Sequence, residues 1–238
     1  LQSVKRQKVN DVKRPFLKLK FAEVPNNYNE MTLVMKGNYS VVFRAYNDGL
    51  AYRFVTSLKG EVKVNHEDIT VFFPQDAQLV LQQSDRYRTS YEERYSFVKS
   101  SEWLSFQKMA HYPVLAITSG GTKILMSESD LCDYPAPFFR SNDANGFSSV
   151  FPRVPAVEKP RSDKSNDVLL RHPYIAKTQG TRSFPWRYFV IAKDEAALVT
   201  NTMTCRLAQD SKLQDVSWIV PGQASWEWWN GAVPYGPD

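Results

Sequence analysis

Three carboxylates fall close together in Glu128-Ser129-Asp130-Leu131-Cys132-Asp133, after an apolar run that ends at Met126 and before Tyr134-Pro135. Carboxylates gathered at a strand end suit a hard cation, and calcium takes about six to eight oxygens. If the run is extended, Glu128 and Asp130 share one face and Ser127 and Ser129 the other. It does not match the calcium loop of a helix–loop–helix, because no Gly stands at the required place. By itself it reads more readily as a solvated acidic strand end than as a metal site. A second candidate is Trp226-Glu227-Trp228-Trp229-Asn230, where the tryptophans are concentrated. As a strand it would bury Trp226 and Trp228 on one face. As a sugar site, its indoles would stack on pyranose rings while polar neighbours bond the hydroxyls. The residues alone support both readings equally.

Other chemistries have less to stand on. His66, His111 and His172 never share a ligand spacing, so a metal triad would need the fold to gather them. No Gly-x-Ser-x-Gly and no phosphate-cradling Gly-rich loop occurs. Cys132 and Cys205 make neither a disulfide framework nor a Cys-x-x-Cys pair. The net charge of +5 is local, because residues 1–20 carry seven Lys and Arg against Asp11 alone. Phe16 is the only aromatic in that stretch, which argues against nucleic acid as a partner. No apolar run approaches the roughly eighteen residues of a membrane span. Arg44 and Arg53 flank Asn47-Asp48-Gly49 and are expected as exposed charges on a hairpin, with Arg44 paired to a nearby carboxylate.

The elements that must position these residues are mostly strands. Met31–Met35, Tyr39–Tyr46 and Leu50–Val55 alternate or carry β-branched residues, and Asn47-Asp48-Gly49 makes the turn between the last two. Asp68–Phe73, Gln78–Gln82, Val114–Thr118, Lys123–Ser127, Asp167–Leu170 and Trp186–Ala192 are further strands, and Ser119–Thr122 is a second hairpin turn. Asp194 can cap a short helix reaching Asn201. Residues 84–107 have no clear pattern, and 152–166, with three prolines, read as a long exposed loop. Many short strands with turns between them predict an all-β, large antiparallel sandwich. At about 220 residues it exceeds an immunoglobulin-type domain.

Five motifs in order carry a resemblance. They are Tyr28-Asn29-Glu30-Met31; Phe43 to Arg53; Glu128 to Pro135; Thr181 to Arg187, ending Phe184-Pro185-Trp186-Arg187; and Ser217-Trp218-Ile219 through Trp226 to Gly231. Together they resemble glycoside hydrolase family 97, the calcium-dependent α-glucosidases and α-galactosidases typical of Bacteroidota. The resemblance implies that residues 1–222 are an N-terminal β-super-sandwich of galactose-mutarotase-like fold. Residues 223–238 would then open the catalytic (β/α)8 barrel, with its first strand over 223–231. It implies Glu128 as a Ca2+ ligand and places Trp228, Trp229 and Asn230 near the sugar pocket. Asp130 and Asp133 inherit no such role, and Asp133 is expected to fix the turn before Pro135. Both catalytic carboxylates would come from the barrel, so the chain is expected to hold no catalytic residue and to be inactive alone. The implied partners are carbohydrate and the barrel of the same polypeptide, and the implied location is periplasmic or secreted. Asp238 is expected to be a cut, and the chain to be shortened at its start. The rival readings are a stand-alone carbohydrate-binding sandwich and a structural or partner-binding one.

Overall fold

The computed structural model describes residues 1–17, 20–161 and 165–223. The chain opens with β1 (Ser3–Val9), then a small ribbon of β2 (Val12–Lys13) and β3 (Val24–Pro25). β4 (Tyr28–Met35), β5 (Tyr39–Tyr46) and β6 (Gly49–Val64) follow as consecutive antiparallel strands, and β1 pairs along the free edge of β4. The β5–β6 turn is the expected one, with Tyr46 opposite Gly49 across Asn47-Asp48. Gly49 is required there because a Cβ would fall on the Phe189 carbonyl.

β7 (Thr70–Phe72), β8 (Gln78–Ser84), β9 (Tyr95–Lys99), β10 (Met109–Ile117) and β11 (Lys123–Ser129) continue the chain. They are followed by β12 (Phe138–Ser141), β13 (Gly146–Val150), β14 (Pro155–Pro160), β15 (Asn166–Arg171), β16 (Ala176–Ser183) and β17 (Trp186–Ala192). The main sheet runs β1-β4-β5-β6-β17-β11-β10-β12-β13-β7. Two strands change partners and so bend the sheet. β6 pairs β17 through Gly49–Tyr52 and then β16 through Val55–Val64. β10 pairs β12 at Ala110–His111 and β11 at Val114–Ile117. The result is the antiparallel all-β architecture that the strand pattern predicts.

β11 and β17 divide two apolar cores between their faces. Strand side chains alternate, so Trp186, Tyr188 and Val190 join Val42, Tyr46 and Ala51 in one core. That core is closed by Met203 and Leu207 of the short helix α2 (Met203–Leu207). Met126 and Phe189 face the other core, with Leu79, Leu81, Trp103, Phe139 and Phe147. The helix α1 (Glu195–Val199) starts as expected, with the Ala197 amide donating to Asp194 Oδ1 at 2.8 Å. Among the described residues no helix is long and apolar enough to cross a membrane.

The expected loop over 152–166 is instead strand in part, over Pro155–Pro160. β14 pairs β15 in a separate ribbon, with Pro155 and Pro160 at the two ends of β14. Every residue of β14 is exposed, so no buried face imposes a hydrophobic alternation. β16 also escaped the pattern, because its inward residues are Ala176, Thr178 and Gly180. A Cβ at Gly180 would meet the Leu58 and Gly60 carbonyls of β6 at 2.7 and 2.9 Å, so the smallness is a packing requirement.

Candidate functional site

Glu128 on β11 stands directly opposite Arg187 on β17, and Arg187 stands opposite Tyr52 on β6. The three side chains therefore share one face of three adjacent strands. Arg187 is only 1% exposed. A guanidinium out of water must have its donors met, and two carboxylates meet them. Nε and Nη2 donate to Glu67 Oε1 and Oε2, each at 2.9 Å, the two-pronged match of a planar fork to a carboxylate. Nη1 donates to Glu128 Oε2. Glu67 lies in the connection between β6 and β7, far from both strands in sequence. The Glu128 Oε1 atom takes no hydrogen bond from the described residues.

The electrostatics follow from burial. Desolvation pushes the Glu128 carboxyl up to about 7, against the pull of Arg187 and with a further push from Glu67. Burial also opposes the Arg187 charge, but the hydrogen bonds and negative charge of Glu67, with the charge of Glu128, more than offset it and raise the pKa. Arg187 stays charged. One guanidinium thus stands between two carboxylates, and with both ionised the trio carries one surplus negative charge.

Partly buried phenols surround it. Burial, then the charge of Glu67, pushes Tyr52 up to about 12. Tyr134 is raised by burial and then by the Glu67 charge. Tyr112 is raised chiefly by burial. A raised folded-state value means that the stability gained by keeping these phenols neutral is complete below the unfolded value of 10 and is lost as pH rises through 12. Melting temperature is therefore expected to fall steeply across that window, and Tyr52→Phe to flatten the fall. An equally steep fall in Tyr52→Phe would refute the assignment.

The opposite face of the same strands holds a second charged group. Trp186 is fully buried, with the Arg53 and Arg44 guanidinium carbons 4.3 and 4.6 Å from its ring centroid. Arg44 donates to Glu30 Oε2 at 2.8 Å, the expected pairing with a nearby carboxylate. The expected exposure is corrected: both arginines are largely covered because they stack on an indole inside the sandwich. The shared face expected for Glu128 and Asp130 is also corrected. β11 ends at Ser129, and Asp130 adopts φ 56°. This left-handed turn sends its carboxylate toward Arg53, 3.8 Å away, on the Trp186 side. Asp133, at φ 50°, accepts from the Thr178 hydroxyl at 3.0 Å, while Arg182 donates to the Cys132 and Asp133 carbonyls. That network holds the turn before Pro135.

The histidines do not gather. His111 packs its ring edge-on to Tyr91, and His172 stacks on Tyr174. Among the described residues no group of three or more His, Cys, Asp or Glu is arranged to hold a metal. Trp228, Trp229 and Asn230 lie outside the described residues, as does the rest of the expected first barrel strand beyond 223. Sequence reasoning missed Glu67 altogether. It sits in the polar run Asn65-His66-Glu67-Asp68, which carries only a turn signal.

The comparisons with known proteins agree with the fold. The family model described as Glycosyl-hydrolase 97 N-terminal matches residues 1–209. A retaining alpha-galactosidase of Bacteroides thetaiotaomicron is 31% identical over 97% of this chain and 36% of that protein. A probable retaining alpha-galactosidase of Streptomyces bingchenggensis is 28% identical over 83% of this chain and 27% of its own length. The chain thus spans about a third of the curated relatives it matches. A variant of a family 97 enzyme from Pseudoalteromonas sp. strain K8, solved with panose, shares the fold with a TM-score of 0.72 at 22% identity, covering 93% of this chain and 32% of that one. With the sandwich, the order of its motifs and the family match in agreement, the chain belongs to glycosyl hydrolase family 97, as an N-terminal domain of that family.

Proposed function

We propose that this chain serves a retaining α-galactosidase as the domain that lends one carboxylate, Glu128, to a calcium site shared with a catalytic barrel. The observation that carries this reading is the engagement of Glu128. One of its oxygens is bound to Arg187 and the other takes no hydrogen bond from the described residues, while the trio it belongs to has a surplus negative charge when both carboxylates are ionised. A buried surplus charge is costly unless a cation meets it, and a carboxylate oxygen is the ligand calcium prefers. The described residues hold no full set of metal ligands, so on this reading the oxygens beyond Glu128 would come from the barrel. A calcium ion there would polarise substrate oxygens as a Lewis acid and hold the sugar in register. The chain's own residues fix where Glu128 stands and keep it from collapsing onto Arg187.

Glu67 has both oxygens bound by the Arg187 fork. This leaves it unsuited to the nucleophile of a retaining reaction, which needs an unengaged carboxylate beside the sugar. The acid and the nucleophile are assigned to the barrel. The alignment with two retaining galactosidases favours galactosides over glucosides as substrates. Trp228, Trp229 and Asn230 are proposed as sugar contacts where the chain would enter the barrel.

The test compares the chain with the whole polypeptide. The isolated chain is expected to show no turnover of an aryl α-galactoside. The whole enzyme is expected to turn it over, to lose activity to a calcium chelator and to regain it on adding calcium. Turnover by the isolated chain would overturn the assignment of catalysis to the barrel. Chelator-insensitive turnover by the whole enzyme would overturn the calcium role.

A further inference from the structure

We infer that Glu67 and Arg187 are positioning residues for Glu128, a clamp that holds it by a single oxygen and keeps the second presented to a cation. The inference rests on the reading of Glu128 as a calcium ligand. It starts from competition for one guanidinium. Arg187 and Glu128 are cross-strand partners, so their side chains meet whatever else is present. A fork and a carboxylate left alone tend to pair through two parallel hydrogen bonds. Such a pair would engage both Glu128 oxygens and make a metal compete with the guanidinium for each of them.

The structure shows another division. Glu67 takes the Nε and Nη2 edge of the fork in the two-pronged mode, and Glu128 receives Nη1 through Oε2 alone. Rotation of the guanidinium toward Glu128 would break two 2.9 Å hydrogen bonds to Glu67. The Phe151 ring, centred 6.0 Å from the guanidinium carbon, packs beside it. Tyr134 lies close enough to Glu67 for the Glu67 charge to raise its pKa. Glu67 comes from the connection between β6 and β7, so a non-strand segment engages the fork of one strand arginine.

The experiment is a calcium titration of the full-length enzyme by calorimetry, with the fold checked by circular dichroism and by melting with and without calcium. Glu67→Gln is expected to weaken calcium binding about 10–100-fold, the range for partners that orient a metal ligand. The melting temperature gained on adding calcium is expected to shrink accordingly. If Glu128→Gln weakens calcium binding while Glu67→Gln leaves it within twofold, the clamp is refuted and the ligand reading stands. If Glu128→Gln leaves calcium binding unchanged, the ligand reading falls and takes the clamp with it. If Glu67→Gln does not fold, Tyr134→Phe decides. It removes the hydroxyl that interacts with Glu67 and is expected to weaken calcium about 3–10-fold, and unchanged affinity there refutes the clamp.

Discussion

Glu128→Gln in the full-length enzyme is expected to weaken calcium binding by at least about 100-fold, since loss of a residue that merely orients a ligand already costs about 10–100-fold. Turnover of an aryl α-galactoside at limiting calcium should fall with it and recover in part when calcium is raised. The fold should survive. Gln keeps a carbonyl oxygen for Arg187 Nη1, and Arg187 keeps both hydrogen bonds to Glu67. The variant therefore separates metal binding from folding. Calorimetric titration measures the affinity, and thermal melting without calcium measures the fold. An unchanged affinity would remove Glu128 from the calcium site.

Arg187→Met is expected to have the larger effect on stability. It leaves Glu67 and Glu128 in a largely water-free setting with no counter-charge, since their side chains are each only 11% exposed. Breaking a buried pair in this way costs about 3–5 kcal/mol. Burial at this level leaves little solvent screening to reduce that figure. A domain stability of about 5–15 kcal/mol could lose most of its margin. Urea unfolding would show the midpoint shift. Adding Glu67→Gln and Glu128→Gln to Arg187→Met should recover much of the loss, because the stranded charges disappear with the partner. A loss below about 1 kcal/mol would mean that water reaches the trio freely and that the cluster is not the buried one described.

The two experiments bear on different links. The first asks whether the surplus carboxylate has a function beyond the fold. The second asks whether the arginine is needed by the fold itself. A site of this kind is expected to serve both, because a charge held ready for a metal must be neutralised in part before the metal arrives.

Much of the architecture was legible in the residues. β4, β5, β6, β8, β11 and β17 all carry apolar alternation or β-branched runs, because each faces a core on at least one side. Asn47-Asp48-Gly49 and Asp194 announced a turn and a helix start through backbone chemistry alone. β14 and β16 were not legible. The first is exposed on every residue, and the second turns small or polar residues inward, so neither has a hydrophobic period to read. At the site, the sequence offered three carboxylates at a strand end and read them by themselves as a solvated group, and only the resemblance carried by the five motifs pointed to Glu128 among them. It could not show that Asp130 turns to the opposite face, since that depends on a left-handed φ at one residue. Nor could it bring Glu67 to Arg187, 120 residues apart along the chain. Local pattern reports which face of a strand is buried. Only the tertiary structure decides which charges meet there, because the pairing is set by strand register and by where an irregular connection crosses the sheet.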